Sequence, residues 1–487
     1  MRRRREFFRV RKVRRIYNKA ENKFAFNISY ETHTKITPRS LVVAEAFGLG
    51  IDEAQTFKVL DAELRIAPSD VVYITGDSGS GKSVLLRALR ADLGDEAIDL
   101  SEVLVDPEKP LIETVGATVE EGLELLSRVG LNDAFLFLRS YSQLSDGQKY
   151  RYRIAKLIES KKQWWLMDEF AACLDRDTAK IIAFNLQKIA RQQGKAVIAA
   201  TTHSDLFEDL SPSVHVHKRF GEEIEIKYYP NLPVAECSLV REMKVEVGTK
   251  KDWEKLCVFH YRGHKTSVPR RIFRLVRGSE LCGVIVYCYS PPACFGRRLV
   301  LPRMTMQEIN LQLSTINRVV IHPKYRTVGL GAKLIRETLP LAGTVYVELI
   351  AVMAKYSPFA EKAGMRKIAV QQSVETVSKI SSMLLELGFD MQLLGSERYV
   401  KAKLENLTSA QLSSLRGAFV KNSHPRFKKE FGATRHQPFG KTSDYIKGIE
   451  NADSEKLARL IKIVGMLLQT KVYLFWSSAV IGMTPSL

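Results

Sequence analysis

Three short apolar runs stand out in the first half of the chain: Val71–Thr75, Trp164–Met167 and Ala196–Ala200. Each has the length of a buried strand and is too short for a helix. Helix-length segments lie between them, at Val84–Leu93, Tyr150–Lys161 and Thr178–Gln193. Apolar strands alternating with helices predict βαβ units and a parallel sheet covered on both faces. The stretch Tyr229-Pro230-Asn231-Leu232-Pro233 interrupts the pattern and marks a boundary.

A second alternation follows over 238–372. Met243–Val247 reads as a strand and Asp252–Tyr261 as a helix. Arg271–Val276 and Cys282–Tyr289 read as a hairpin across Arg277-Gly278-Ser279-Glu280, and Asn317–His322 and Val345–Val352 as further strands. From 373 to 487 helical periodicity dominates, as in Ser373–Gly388 and Ser454–Leu468. The apolar stretch Leu460 to Met483 is broken by Lys462, Gln469 and Lys471. It reads as a buried helix followed by another apolar segment, not as a membrane span. The expected division is a basic arm (1–20), one α/β domain (21–235), a second (238–372) and a helical region (373–487).

A chain of 487 residues, 45% hydrophobic and 26% charged, is an ordinary globular chain of two to four domains. Global disorder, collagen-like repeats and small disulfide scaffolds are excluded. The formal net charge is +20, and it is uneven. Residues 1–20 hold eight Arg and two Lys against Glu6, and residues 401–487 hold ten Lys and four Arg against six acids. Basic ends favour a polyanionic partner, nucleic acid or a ribonucleoprotein, and an arginine-rich arm suits phosphates. Lys421–Lys429 mixes basic and aromatic residues, a pattern that stacks on bases or forms a solvated loop. The six cysteines form no C-x-x-C pair and no signal peptide precedes them, so a reducing, cytoplasmic setting without membrane insertion is expected. Cys257, His260 and His264 lack an obvious fourth ligand for a metal.

The chemistry concentrates at two places. Gly76-Asp77-Ser78-Gly79-Ser80-Gly81-Lys82-Ser83 fits G-x-x-x-x-G-K-[ST] between a predicted strand and a predicted helix. Its glycines let backbone N–H groups face phosphate oxygens, and the helix start adds its dipole. Lys82 is the candidate for the β- and γ-phosphates and Ser83 for Mg²⁺. Downstream come Leu144-Ser145-Asp146-Gly147-Gln148, the strand ending in Asp168-Glu169, Leu174-Asp175, and Thr201-Thr202-His203. Asp168 suits Mg²⁺, Glu169 suits an attacking water, and His203 suits the γ-phosphate. In this order the motifs resemble the ABC-type ATPase family over about 40–230. The resemblance implies an ATP sandwich in which the Lys82 loop of one protomer faces Ser145–Gln148 of another, hence a homodimer or a docked heterologous partner. Two departures reduce the fit to transporters. Only 63 residues separate Lys82 from Ser145, and the usual glutamine between them is missing, with Asp106 or Glu108 the candidates for its place. Phe57 is the candidate for stacking on adenine.

The second place is Asn317–Pro323, a strand, followed by Arg326-Thr327-Val328-Gly329-Leu330-Gly331 and a helix, Ala332–Thr338. A further strand, Tyr346–Val352, leads to a helix ending in Glu361-Lys362-Ala363-Gly364-Met365. Together these resemble the GNAT acetyltransferase family over about 238–372. The resemblance implies that Arg326, Val328, Gly329, Leu330 and Gly331 hold the pyrophosphate of acetyl-CoA, with Val320 and Ile321 along the pantetheine arm. The family's tyrosine before the Glu-Lys pair is Ala360 here. Tyr356, one helical turn earlier, or Ser357 are the substitutes, and Glu348 is the candidate general base. The expected fold is therefore α/β: an ABC-type P-loop ATPase domain, a GNAT-like α+β acyltransferase domain and a mainly helical C-terminal extension. The whole resembles ABC-type ATPases fused to a predicted acetyltransferase domain. Its expected cofactors are ATP, Mg²⁺ and acetyl-CoA. The first expectation is ATP-dependent acyl transfer to nucleic acid or a ribonucleoprotein. The alternatives are an ATPase clamp on DNA, RNA or ribosomes with a silent GNAT-like scaffold, and a protein N-acetyltransferase regulated by ATP.

Overall fold

A computed structural model of the chain describes residues 8–32, 36–49, 56–260, 266–352, 354, 357–371, 375–431 and 442–478. It divides into two compact units. The first comprises Met1–Lys265, Ile272–Ile285 and Val319–Leu334; the second comprises Thr266–Arg271, Val286–Arg318 and Ile335–Leu487. The division thus cuts through the segment 238–372 instead of following its ends.

In the first unit β1 (Phe8–Asn18), β2 (Lys23–Thr32) and β3 (Thr56–Arg65) form an antiparallel sheet. From Phe8 onward the expected basic arm is therefore a strand, paired from Phe8↔Thr32 to Asn18↔Lys23. Its arginines are interleaved with Val13, Ile16 and Tyr17, and a turn with Asn22 at φ +50° closes the hairpin. Tyr17 stacks on Phe24 at 4.2 Å, and Arg15 pairs with Asp92 at 3.3 Å.

The second sheet of this unit contains β4 (Val71–Thr75), β5 (Ala97–Asp99), β6 (Trp164–Met167), β7 (Ala196–Ala200), β8 (Val214–Lys218) and β9 (Ile224–Tyr228). Its order is β5-β6-β7-β4-β8-β9, parallel throughout except for β9. Successive side chains of β4 point to opposite faces, as a strand requires. Val72 and Ile74 join Leu85 and Leu89 of the helix Lys82–Leu93. Val71 and Tyr73 join Ile154 and Ile182 of the helices Asp146–Glu159 and Arg176–Gln193. Both faces are dry, which is why these strands read as continuous apolar runs.

The remaining strands are β10 (Met243–Val247), β11 (Pro269–Arg277), β12 (Glu280–Tyr289), β13 (Leu313–Ile321), β14 (Tyr346–Ala351), β15 (Arg366–Gln371) and β16 (Lys471–Ser477). Their order is β10-β11-β12-β13-β14-β16-β15. β13 and β14 run parallel, with pairing from Leu313↔Tyr346 to Thr315↔Glu348. The apolar segment after the last predicted helix is β16, antiparallel to both β14 and β15. The helices between Glu375 and Leu467 are thus inserted between two strands of one sheet. They have a core of their own, including Val377, Leu415, Phe427, Tyr445 and Ile461. Phe427 is fully buried against Phe419, so base stacking by this side chain is excluded. Where a helix was expected to end at Glu361–Met365, the described residues show one 3-10 turn, Glu361–Ala363.

Glu348 on β14 corrects another expectation. Its carboxylate is completely buried and receives two bonds from Arg297, at 2.7 and 3.0 Å. Thr315 and Tyr473 donate to the same carboxylate at 2.8 and 3.1 Å. Burial lowers the Arg297 pKa, but bonding to Glu348 outweighs it and leaves the group raised. The carboxylate thus has four donors, two of them from a cation, with both oxygens engaged. These four bonds tie Glu348 into the fold. Arg297→Met should strand this carboxylate and cost about 3–5 kcal/mol of stability in urea denaturation.

Candidate functional site

β6, β7 and β4 are neighbours in the sheet and run the same way. Their C-terminal ends therefore deliver Asp168-Glu169, Thr201-Thr202-His203 and Gly76–Ser83 to one edge. This is the edge at which parallel α/β sheets bind ligands. The phosphate-loop glycines are conformationally required. Gly76, Gly79 and Gly81 have φ of +140°, +80° and +101°. A Cβ on Gly76 would lie 1.9 Å from the Lys218 carbonyl oxygen, and one on Gly81 would lie 2.7 Å from Val59. A Cβ on Gly79 would meet only the Phe220 ring, at an ordinary contact distance of 3.7 Å.

Lys82 is the first residue of the helix Lys82–Leu93, and its ammonium donates to the carbonyls of Gly76 and Asp77 at 2.8 and 2.7 Å. Burial pushes its pKa down, against the nearby carboxylates Asp168 and Asp77. Ser80 Oγ is buried with no hydrogen-bond partner among the described residues. A glycine cradle that a Cβ would fill, an orphaned hydroxyl and a lysine curled onto the loop's own carbonyls all fit a polyphosphate. Ser78 is exposed at the loop's crest, and Ser83 lies one residue beyond Lys82.

Asp168 and Glu169 are both exposed beyond β6. Glu169 and Ala171 occupy the left-handed region, at φ +50° and +57°. Such strain in two non-glycine residues persists only where the surroundings enforce it, and it clusters at functional sites. Here Phe170 N–H donates to Ala200 at 2.7 Å, and Ala171 N–H donates to Tyr150 at 2.8 Å. His203 is half-buried, and its backbone carbonyl accepts from Tyr73. Ser145 caps the helix Asp146–Glu159 in a capping box with Gln148. Leu174 lies 3.4 Å from the position of a Cβ on Gly147. Asp175 caps the helix Arg176–Gln193, accepting from Thr178 at 3.2 Å. Asp106 caps the following turn through the N–H groups of Glu108 and Lys109.

The second constellation is only partly open. Val320, Ile321, Val328 and Leu330 are buried. Gly329 is exposed at φ +88° with nothing near its would-be Cβ, and Gly331 follows in the first turn of the helix Leu330–Thr338. Arg326 departs from expectation. Its guanidinium donates to the carbonyls of Asn132 at 2.8 Å, Ile321 at 3.0 Å and Phe259 at 3.2 Å. These three bonds hold the guanidinium against the fold. Tyr356 lies outside the described residues, and Ser357 is exposed. His264 also lies outside them. Among the described residues no cluster of three His, Cys, Asp or Glu side chains could hold a metal, and all six cysteines are free.

Two further groups beside the phosphate loop carry no signal in the sequence. Phe220 approaches Gly79, whereas Phe57 is a partly exposed residue of β3. Lys218 is buried and donates to the carbonyls of Arg219 and Gly221 at 2.6 and 2.5 Å. Only the adjacency of β8 to β4 brings them there, and no local motif announces it.

This fold and these motifs define an ABC-type P-loop ATPase domain, covering roughly a third of the chain. The relatives agree on that domain. The methionine import ATP-binding protein MetN of Corynebacterium efficiens is 25% identical over 225 residues, 37% of this chain and 62% of that protein. MetN of Rhizobium etli is 28% identical over 230 residues, 39% of this chain and 63% of that protein. The chain thus spans less than two thirds of either relative. Among solved structures, a dimeric post-hydrolysis ATP-binding cassette with ADP and phosphate matches 36% of this chain and 92% of its own. That match has 22% identity and a TM-score of 0.31. No protein-family model matches the chain. Among the described residues no helix is long and apolar enough to cross a membrane.

Gly76→Ala should abolish binding of a fluorescent ATP analogue, because the new methyl meets backbone. Gly79→Ala should bind within about tenfold of the parent, since it meets only the Phe220 ring at ordinary contact distance and the positive φ is its main cost, about 1 kcal/mol.

Proposed function

We propose that the chain is an ATP-hydrolysing clamp, closing as a homodimer on a polyanion such as nucleic acid or a ribonucleoprotein. The carrying observation is the glycine cradle with Lys82 at the same sheet edge as Asp168, Glu169 and His203. In this reading the backbone of Gly76–Gly81 and the ammonium of Lys82 hold the phosphates. Ser83 and Asp168 hold Mg²⁺, which supplies charge neutralisation when bound. Glu169 orients the attacking water from its strained turn, and His203 contacts the γ-phosphate. Ser145, Gly147, Gln148 and Asp175 complete the site of the opposite protomer. The net charge of +20 and the exposed Lys12, Arg14 and Arg15 of β1 support a polyanionic partner.

A second reading is favoured by the sheet itself. The parallel pair β13 and β14, the exposed Gly329 and the helix beginning at Leu330 support a GNAT-like acyl-CoA domain. Acetyl transfer there would form a bond from an acceptor nitrogen to the acetyl carbon and break the thioester C–S bond. The nitrogen's proton would leave, and coenzyme A would depart as thiolate or thiol. The buried Glu348 and the committed Arg326 weigh against it, which is why the silent scaffold ranks first.

Glu169→Gln should cut ATP turnover by about 10²–10⁴-fold and accumulate an ATP-bound dimer on sizing columns. That dimer should retain RNA or DNA in a salt-sensitive way. Unchanged turnover removes Glu169 from the chemistry. Label passing from acetyl-CoA to an RNA, DNA or protein fraction would install the second reading, and its absence keeps the first.

A further inference from the structure

The turn from Lys324 to Thr327, between β13 and the helix Leu330–Thr338, is fastened to the ATPase domain through each of its side chains. All the partners lie in the first unit. Lys324 Nζ is 2.6 Å from Asp177 and 3.7 Å from Asp175. The Tyr325 hydroxyl lies 2.6 Å from Glu280 and 3.2 Å from Asp177. Arg326 donates to Asn132, as described above. Thr327 Oγ1 accepts from Asn185 at 2.9 Å. Thr327 also sits at φ +76°, a genuine outlier for a β-branched residue, so its surroundings enforce the conformation.

The far side of this contact is the ATP site. Asp175 is the cap of the helix Arg176–Gln193, and Leu174 before it packs on Gly147. Asp177 also pairs with Arg277 at 2.8 Å, and Arg277 in turn pairs with Glu242 at 2.6 Å. Burial raises the Asp177 carboxyl, but Lys324 and Arg277 outweigh it and hold it below the usual range. Asp175 is treated similarly: burial raises it, while Thr178 and Lys324 lower it. Asp177 therefore keeps a cation if Lys324 is lost. Asp175 loses the only side-chain ammonium or guanidinium within 4 Å of it among the described residues.

The geometry points to Lys324 as a positioning residue for ATP turnover: its ammonium, bonded to Asp177 at 2.6 Å and 3.7 Å from Asp175, holds the start of the helix Arg176–Gln193 and, through Leu174, the Ser145–Gln148 segment that meets the nucleotide of the opposite protomer. This rests on the ATPase reading above. It assigns part of the ATP machinery to a turn outside the region of ABC resemblance. The glycine cradle and Lys82 are not touched by the turn, so nucleotide affinity should be spared.

The test is steady-state ATP hydrolysis by the full-length chain and its Lys324→Ala, Lys324→Gln and Lys324→Arg variants, with melting temperatures. The expected result is a kcat about tenfold or more lower for Ala and Gln, with KM for ATP within about twofold of the parent. Lys324→Arg should recover most of the rate, and melting should move by only a few degrees, because Arg277 still pairs with Asp177. Parental kcat in Ala and Gln overturns the proposal. So does a loss that tracks a large melting shift and is not rescued by Arg. Absence of hydrolysis in the parent chain, with ATP still bound, overturns the ATPase reading instead and takes this proposal with it.

Discussion

The candidate site depends on one constraint: three neighbouring strands, β6, β7 and β4, must run parallel and end at one edge. Parallel neighbours cannot be joined by tight turns, so each return passes through a helix on a face of the sheet. Those helices bury both faces, and the buried faces hold the strands in register. What remains exposed is the edge where the strands stop. There the chain places a glycine loop, two carboxylates and a histidine that are up to 127 residues apart in sequence. The strain at Glu169 and Ala171 is tolerable because Phe170 and Ala171 are tied to Ala200 and Tyr150.

The second constraint is ionic. Asp177 collects Lys324, Arg277 and Tyr325 around one carboxylate at the start of the helix Arg176–Gln193. Residues 272–285 and 319–334 fall in the same compact unit as the ATPase domain. A linker at 229–233 separates the two segments in sequence, yet the contacts cross it. The first unit is therefore larger than the ABC resemblance, and the turn before Gly329 belongs to it.

Much of the candidate site was legible because its signals are local. A G-x-x-x-x-G-K-[ST] loop between a strand and a helix, and two acids closing an apolar strand, need no tertiary information. The strands at Val71–Thr75, Trp164–Met167 and Ala196–Ala200 were legible because burial on both faces makes them uniformly apolar. What could not be read depends on partners distant in sequence. The arginine-rich start looks like an arm until β2 is available to pair with it. The last apolar segment looks like packing material until β14 and β15 leave a gap for β16. Glu348 looks like a base because nothing near it in sequence hints at Arg297, 51 residues earlier. Arg326 fits a phosphate motif, and its capture by Asn132 is a contact across 194 residues. Phe427 misled for the same reason, since its burial is a property of the helical core.

The central claim is that ATP is turned over at a site completed by a second copy of the chain. Its most direct test is the ATPase rate per chain measured across protein concentration. A composite site predicts a specific activity that rises with concentration and then levels off. A specific activity that is constant down to the lowest dilution, at concentrations where sedimentation shows only monomers, would contradict it.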